Sequence, residues 1–385
     1  RDYYASRGLG DVYKRQEYSE NREGLIFMLS KNLIDLENLS VKEILDIIDL
    51  ANKIKANPSE YANACQGKIL ATLFYEPSTR TRMSFSTAMM RLGGNVIGFD
   101  NPMNSSVSKG ETLKDTLTVI GGYADIIAIR HPVEGSAEAA AMYSPAPIIN
   151  AGDGGHLHPT QTLADIVTLY NEKGRLDNLC IGLCGDLKYG RTVHSLIKTM
   201  SRFKGNRFVL ISTPELTVPQ YIKDVMDNAG CEYTEITSLK EAMSELDVLY
   251  MTRIQRERFE NDEEYERQKG VFVLDKEKLD LGKSDLRILH PLPRVDEIDY
   301  EVDDDERAKY FQQTVYGMYA RMALFMTMLN GEKKVLKKYK NDGPYKDVIC
   351  TNEHCITHQE TYLPKRFKEY GDMLVCEYCE NSTRK

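Results

Sequence analysis

A strand, a tight turn and a helix follow one another within residues 68–92, and this unit is typical of a parallel α/β sheet. Its turn, residues 74–82, has the sequence Phe-Tyr-Glu-Pro-Ser-Thr-Arg-Thr-Arg. Pro77 ends the strand, and Ser78 or Thr79 can cap the helix. Because a helix N-terminus has unpaired backbone N–H groups and partial positive charge, the turn favours an anion such as phosphate. The alternative is an ordinary capped helix with solvated arginines.

Strand-like and helix-like patterns alternate along most of the chain. Apolar runs predict strands at 68–75, 95–99, 125–130, 148–152, 180–186, 208–212, 248–253 and 285–289. Amphipathic patterns predict helices at 44–54, 83–92, 112–120, 158–170, 219–229 and 310–330, and another that begins at residue 191. The sequence therefore predicts an α/β fold with two open parallel sheets, and a site along the carboxyl edges of the strands.

A chain of 385 residues is too long for one ordinary core, so several domains are expected. We expect two α/β domains joined by a bridging helix near residues 158–170 and by a returning helix at 310–330. The expected segments are a disordered leader at 1–16, a first domain at 17–160 that includes the returning helix, a second domain at 161–309, a linker at 331–345 and a small tail domain at 346–385.

Composition excludes several classes of protein. The formal net charge of −8 argues against nucleic acid as a partner. The sequence has no apolar run near the ~20 residues of a membrane span and no signal-peptide pattern, so no membrane partner is expected. The eight cysteines do not show the spacing of a secreted disulfide scaffold. We therefore expect a cytoplasmic protein.

Four of the cysteines are concentrated at the C-terminal end of the chain. Cys350 and Cys355 form one pair, and Cys376 and Cys379 form a second pair about twenty residues later. Two such pairs are typical of a tetrahedral zinc site, and a module of this size needs a metal to fold. We predict a structural Zn²⁺ in a β-rich tail. The alternatives are two disulfides, or free thiols that bind no metal.

Polar residues recur where predicted strands end. They are Arg130, His158, Gln161, Arg191, Arg253, Gln255 and Arg294, with Lys109 on a polar loop. The set contains an excess of cations, no Ser-His-Asp arrangement and no dinucleotide fingerprint, and outside the tail there is no metal-ligand spacing. Such a site suits the transfer of a group from a phosphorylated donor to an acidic acceptor, with no cofactor for the chemistry.

Seven motifs, in the same order, give residues 17–330 a resemblance to the catalytic chain of the aspartate carbamoyltransferase family. They are FYEPSTRTR, SSVSKGET, IRHP, HLHPTQT, GDLKYGRT, TRIQ and HPLPR. Ornithine carbamoyltransferases share STRTR but typically carry cysteine where this chain has Pro291. The resemblance therefore implies carbamoyl transfer from carbamoyl phosphate to the α-amine of L-aspartate, a step of pyrimidine biosynthesis.

The resemblance also implies roles for individual residues. Carbamoyl phosphate would be bound by Ser78, Thr79, Arg80, Thr81, Arg130, His158, Gln161, Ser105 and Lys109. Aspartate would be bound by Lys109, Arg191, Arg253, Gln255, Leu292 and Pro293. The residues expected to act in catalysis are His158, Arg130, Thr81, Lys109 and Arg80. No general base is evident, and the departing phosphate is expected to take the proton from the amine.

In this family the loop that matches Ser105 and Lys109 reaches the active site of a neighbouring subunit. The resemblance therefore implies a homo-trimer with shared active sites. Ser108 stands where some members have a second lysine, so Lys109 would carry that function alone.

The tail resembles the zinc domain of the aspartate carbamoyltransferase regulatory chain. Residues 331–349 leave no room for the nucleotide-binding domain that precedes it there. We therefore expect a tethered structural clip between paired catalytic trimers, without that effector site. The alternatives are an enzyme for another amino acid, an inactive scaffold with a partner-binding tail, and a nucleic-acid-binding zinc ribbon that uses Lys365, Arg366 and Lys368.

Overall fold

The structure is a computed structural model, and it describes residues 32–254, 256, 259, 261–329 and 339–384. The expected leader at 1–16, the predicted site residue Gln255 and residues 331–338 of the expected linker lie outside the described residues.

The first part of the chain forms a four-stranded parallel sheet in the order β2-β1-β3-β4. Its elements are α1 (Val41–Ala56), β1 (Ile69–Phe74), α2 (Thr79–Arg91), β2 (Asn95–Phe99), α3 (Leu113–Tyr123), β3 (Ile126–His131), α4 (Ser136–Tyr143), β4 (Ile148–Asp153) and α5 (Pro159–Lys173). β1, β3 and β4 are almost entirely buried, which explains their continuous apolar runs. We call this part the first lobe.

The second lobe is built on a five-stranded parallel sheet in the order β7-β6-β5-β8-β9. Its elements are β5 (Cys180–Cys184), α6 (Arg191–Met200), β6 (Arg207–Ile211), α7 (Gln220–Ala229), β7 (Glu232–Ile236), α8 (Leu239–Ala242), β8 (Val248–Met251), α9 (Asp262–Gln268), α10 (Lys276–Leu279) and β9 (Arg287–Leu289). The fold class predicted from the sequence, with two parallel α/β sheets, is confirmed.

Helix α11 (Tyr310–Met328) returns from the second lobe and packs against α1, α2 and α5. One apolar core extends through both lobes and includes Leu163 of α5, Ile181 of β5 and Phe325 of α11. The approach of α11 to α5 requires a glycine, because a Cβ at Gly317 would lie 2.9 Å from Cβ of Ala164. The lobes are therefore joined by packing as well as by the chain.

The tail, residues 339–384, contains α12 (Ile356–Gln359) and an antiparallel sheet of β10 (Phe367–Tyr370), β11 (Met373–Cys376) and β12 (Ser382–Arg384). It packs on the first lobe, where Glu134 N–H donates to His354 O (3.1 Å) and Ile356 N–H donates to Glu134 O (2.9 Å). Gly135, at φ +81°, lies so close to Tyr378 that a Cβ there would come within 2.7 Å of its backbone. The predicted β-rich tail is confirmed.

Several predicted boundaries need correction. Helix α2 begins at Thr79 rather than at 83, because its polar first turn is helical without showing apolar periodicity. The sequence patterns did not reveal α4, which is alanine-rich and buried on most sides, or β7, which is a half-exposed edge strand. None of the helices in the described part of the chain combines the length and apolar character needed to cross a membrane.

Candidate active site

A cavity of about 550 Å³ lies between the lobes, at the carboxyl ends of strands from both sheets. The segments that follow β1, β3, β4, β8 and β9 all contribute to its wall. Parallel strands bring their carboxyl ends to one edge, so residues distant in sequence meet there. The predicted site residues that line the cavity are Ser78, Thr79, Arg80, Thr81, Arg130, His158, Gln161, Arg191, Arg253, Leu292 and Pro293.

The N-terminus of α2 faces this cavity. Ser78 is the N-cap residue, yet its side chain makes no capping hydrogen bond to the helix. The first backbone N–H groups of a helix have no intrahelical acceptor and add to its positive dipole. Arg80 and the hydroxyl groups of Thr79 and Thr81 lie at the same point. The helix start therefore offers a set of donors suited to a phosphate group.

Arg130, at the end of β3, is a buried guanidinium in the cavity wall. It donates to Glu76 Oε1 (2.8 Å) and to the carbonyl oxygen of Ala151 (3.4 Å). Its Nε atom is buried and has no hydrogen-bond partner among the described residues. A desolvated guanidinium with unsatisfied donor capacity can stabilise a negatively charged oxygen strongly.

His158 is buried at the N-cap of α5 and carries no charge. Burial holds the pKa of its imidazole well below the usual value, and three neighbouring guanidiniums add to the shift. They belong to Arg191, Arg130 and Arg321. The Nδ1 atom of His158 has no hydrogen-bond partner within the described chain. The side chain is therefore a neutral imidazole that can donate one hydrogen bond into the cavity.

Asp165 orients Gln161 from behind the cavity wall. Its carboxylate accepts hydrogen bonds from Gln161 Nε2 (2.7 Å), Gln313 Nε2 (2.5 Å) and Tyr250 Oη (3.0 Å). Burial raises the pKa of Asp165 to about 7, against the opposing effect of these three donors. Since Gln161 donates to Asp165 through Nε2, its amide nitrogen faces Asp165 and its amide oxygen remains available to a donor.

The second lobe supplies two arginines and a fixed loop. Arg191 is the first residue of α6 and donates to the carbonyl oxygen of Gly154 in the first lobe. Arg253 follows β8 and lines the same cavity. His290 accepts from Leu292 N–H (2.7 Å) through Nδ1, and its Nε2 lies 2.6 Å from Oε1 of Glu297. These contacts hold the backbone carbonyl groups of residues 292 and 293 at the cavity wall.

The chain matches known families along nearly all of its described length. Residues 31–171 match the family described as "Aspartate/ornithine carbamoyltransferase, carbamoyl-P binding domain". Residues 177–328 match "Aspartate/ornithine carbamoyltransferase, Asp/Orn binding domain". Residues 345–385 match "Aspartate carbamoyltransferase regulatory chain, metal binding domain".

Individual similar proteins indicate whether the chain resembles the aspartate or the ornithine carbamoyltransferases of that family. The aspartate carbamoyltransferase catalytic subunit of Clostridium perfringens is 59% identical over 301 residues, which are 78% of this chain and 98% of the relative. The catalytic subunit of M. jannaschii aspartate transcarbamoylase superposes with a TM-score of 0.73 at 49% identity, covering 78% of this chain and 98% of that chain. This chain belongs to the aspartate carbamoyltransferase family.

A third similar structure is an aspartate transcarbamoylase that holds both of its substrates. It is the Trypanosoma cruzi enzyme in complex with carbamoyl phosphate and aspartate, with a TM-score of 0.73 at 37% identity, covering 78% of this chain and 97% of that chain. The family and enzyme class predicted from the seven motifs are confirmed. The alternative, an enzyme that transfers the carbamoyl group to another amino acid, loses support.

Two residues predicted for the aspartate carbamoyltransferase site lie away from the cavity. Ser105 and Lys109 are on a surface segment of two 3₁₀ turns, Pro102–Asn104 and Ser106–Lys109, and neither lines the cavity wall. Arg294, although it follows a strand, instead donates to both carboxylate oxygens of Asp303.

Sequence reasoning missed Arg321 and Glu76, which both line the cavity. Arg321 is buried in α11, 4.9 Å over the ring of Phe85, and donates to Ser84 Oγ (3.1 Å). Burial lowers its pKa to about 10, so it remains a cation. An arginine inside an otherwise apolar, methionine-rich helix was the available signal, because a buried charge usually has a function or a partner.

The four tail cysteines form a second candidate site. Their Sγ atoms all lie within 4.8 Å of one another and are buried, and none is in a disulfide. His358 Nε2 donates to the carbonyl oxygen of Cys350 (2.8 Å), so this nitrogen is engaged outside the thiol cluster. Four converging thiols fit a single tetrahedral metal ion without further ligands.

Proposed function

We propose that this chain transfers the carbamoyl group of carbamoyl phosphate to the α-amine of L-aspartate, giving N-carbamoyl-L-aspartate and phosphate. The observation that carries the proposal is a cavity that brings guanidinium groups of both lobes around the neutral imidazole of His158. Two polyanionic reactants need this many cations, and one phosphate alone would not. The product would enter pyrimidine biosynthesis.

In this proposal the phosphate of the donor binds at the start of α2. Ser78, Thr79, Arg80 and Thr81 would surround its oxygens with hydroxyl, guanidinium and backbone N–H donors. Arg130 would exchange part of its contact with Glu76 for an oxygen of carbamoyl phosphate. The exchange keeps the guanidinium paired throughout, which limits the cost of its burial.

The carbonyl oxygen of the carbamoyl group would lie beside His158, Arg130 and Thr81. As the amine attacks the carbon, negative charge develops on this oxygen, and fixed donors stabilise it more than they stabilise the ground state. A neutral imidazole suits the task because it donates without requiring a change of protonation. Gln161, with its oxygen left free by Asp165, would accept from the carbamoyl NH₂ group and fix its orientation.

Aspartate would be held by the second lobe, with one carboxylate on each of Arg191 and Arg253. Guanidinium forks match carboxylates in a bidentate geometry, and two of them fix the acceptor in direction as well as position. The carbonyl groups of Leu292 and Pro293 would accept from the α-amine, and Gln255 would assist. The C–N bond then forms, the C–O bond to phosphate breaks, and the departing phosphate takes the proton of the amine.

The proposed reaction is tested directly by product formation. With carbamoyl phosphate as donor, we expect the purified chain to form carbamoyl aspartate from aspartate and no citrulline from ornithine. Two arginines at the acceptor end favour a second carboxylate over a side-chain ammonium. Equal rates with both acceptors, or no carbamoyl aspartate from an intact folded chain, would refute the proposal.

We expect His158→Ala to lower kcat by about 100- to 1,000-fold, because the lost donor acts mainly on charge that develops during the reaction. The dissociation constant for carbamoyl phosphate should change little, since the phosphate is held elsewhere. Steady-state kinetics and equilibrium binding of carbamoyl phosphate measure the two effects separately. An unchanged kcat would exclude this role for His158.

We further propose a homo-trimer in which Ser105 and Lys109 complete the site of a neighbouring subunit. Their position on an exposed surface segment away from their own cavity supports this arrangement. We expect Lys109→Ala and Arg253→Ala chains to be nearly inactive alone. An equal mixture of the two variants, after random exchange of subunits, should recover about a quarter of the wild-type activity, because one site in four over all trimers then has both residues intact.

A mixture of the two variants that stays inactive, after exchange of subunits has been shown with tagged chains, would contradict shared sites. A mixture of Arg253→Ala with Arg191→Ala chains is the matched control. Both of those residues lie in the same cavity of one chain, so that mixture should recover nothing.

We propose that the tail cysteines hold a structural Zn²⁺ and that the protein is cytoplasmic, where eight reduced thiols are stable. We expect about one zinc per chain by elemental analysis. Cys379→Ser should lose most of it and expose residues 339–349 to protease. Cys231→Ser, which alters a thiol outside the cluster, should keep the metal; equal zinc in both variants would refute the assignment.

A further inference from the structure

Glu380, in the tail, lies between cations of the two lobes. Its Oε2 atom is 3.5 Å from Nε2 of His156 in the first lobe and 3.4 Å from Nζ of Lys198 in the second lobe. Other contacts of the tail, such as that of Asn352 Nδ2 with Glu134 Oε2 (2.6 Å), join it to the first lobe alone. The carboxylate of Glu380 therefore links three parts of the chain at one point.

The two cations are shielded from solvent and remain charged. The side chains of His156 and Lys198 are only 11% and 13% exposed. Burial opposes the charge on His156, but the carboxylates of Asp153 and Glu380 outweigh it and raise the pKa to about 10. The side chain of Glu380 is itself 46% exposed, so these pairs are screened less than pairs between two exposed side chains but more than fully buried ones. Glu380 is thus held by two opposite charges.

Both cations belong to segments that build the active site. His156 lies in the turn 153–157, directly before His158, and its Nδ1 is 3.1 Å from Oδ2 of Asp153. The same turn provides the carbonyl oxygen of Gly154, which accepts from Arg191. Lys198 lies on α6, which begins at Arg191, and a separation of seven residues places the two on one face of the helix.

We propose that Glu380 is a positioning residue for carbamoyl transfer, an inference that rests on the proposed function. By tying α6 to the turn 153–157, its carboxylate sets the distance between Arg191, which would hold aspartate, and His158, which would act on the carbamoyl group. The tail thereby contributes to the aspartate step from outside the cavity. Loss of the contact between Glu380 and these two cations loosens the second lobe against the first and leaves the phosphate site unaltered.

The test compares two glutamates of the same tail segment in the full-length chain. Glu380→Gln keeps the shape of the side chain and removes its charge. Glu377→Gln makes the same change, but Glu377 contacts Arg366, whose other carboxylate partner is Glu138 of the first lobe. We expect Glu380→Gln to raise KM for aspartate roughly fivefold, with KM for carbamoyl phosphate and zinc content unchanged. Glu377→Gln should match wild type.

A second variant identifies the contact responsible. Lys198 also lies 3.5 Å from Oε2 of Glu37, ahead of α1, so Lys198→Met should raise KM for aspartate at least as much as Glu380→Gln does. Adding Glu380→Gln to Lys198→Met should change little, because their shared interaction is already lost. Glu380→Asp should recover part of the effect. Additive effects, equal constants for Glu380→Gln and Glu377→Gln, or a rise in KM for both substrates with loss of zinc would each overturn the positioning role.

The wild-type chain in the same assay separates this inference from the proposed function. An active wild type with an unaffected Glu380→Gln variant would refute the positioning role alone. A folded wild type that forms no carbamoyl aspartate would refute the proposed function and this inference with it.

Discussion

Repulsion among the guanidinium groups of the cavity is the physical constraint on which the rest of the structure depends. Arg130 and Arg321 are buried, and Arg191 lies close enough to His158 to lower its pKa. Like charges in a partly dry site are costly unless carboxylates or ligands compensate them. Glu76 compensates Arg130, and Asp165 favours the charge on Arg321. The remaining positive charge is available to anionic reactants.

The same field helps to explain why His158 is a neutral imidazole rather than another cation. Burial holds the pKa of this imidazole well below the usual range, and the neighbouring guanidinium groups lower it further. The rigid elements keep this arrangement in place: His158 is the N-cap residue of α5, and α11 carries Arg321 against Thr160 in the first turn of α5. Packing of α11 on α5 therefore serves both the core and the electrostatics of the site.

Local patterns predicted much of this site, and contacts between distant segments account for what they missed. The motif at 74–82 is contiguous, so its position at the start of α2 and beside the cavity was readable from the sequence. Arg321 was missed because its partner Thr160 lies 161 residues away, and no local pattern reveals such a pair. Asp165 was missed for the same reason, since Gln313, 148 residues away, completes its hydrogen bonding. The sequence predicted which polar residues lie at strand ends. The residues that contact them from behind the cavity wall could be identified only from the fold.

Covalent fusion of the tail to the catalytic part of the chain lowers the binding free energy that the interface between them must supply. A separate chain must overcome the loss of translational and rotational freedom each time it binds, whereas a short linker keeps the tail at high effective concentration beside its surface. The tail shares an apolar cluster with α3 and α4, including Leu117, Met142 and Leu363. With docking secured by the covalent connection and this cluster, polar contacts such as that of Glu380 need not supply binding energy. They are free to fix geometry, and this one does so where the two lobes meet beside His158.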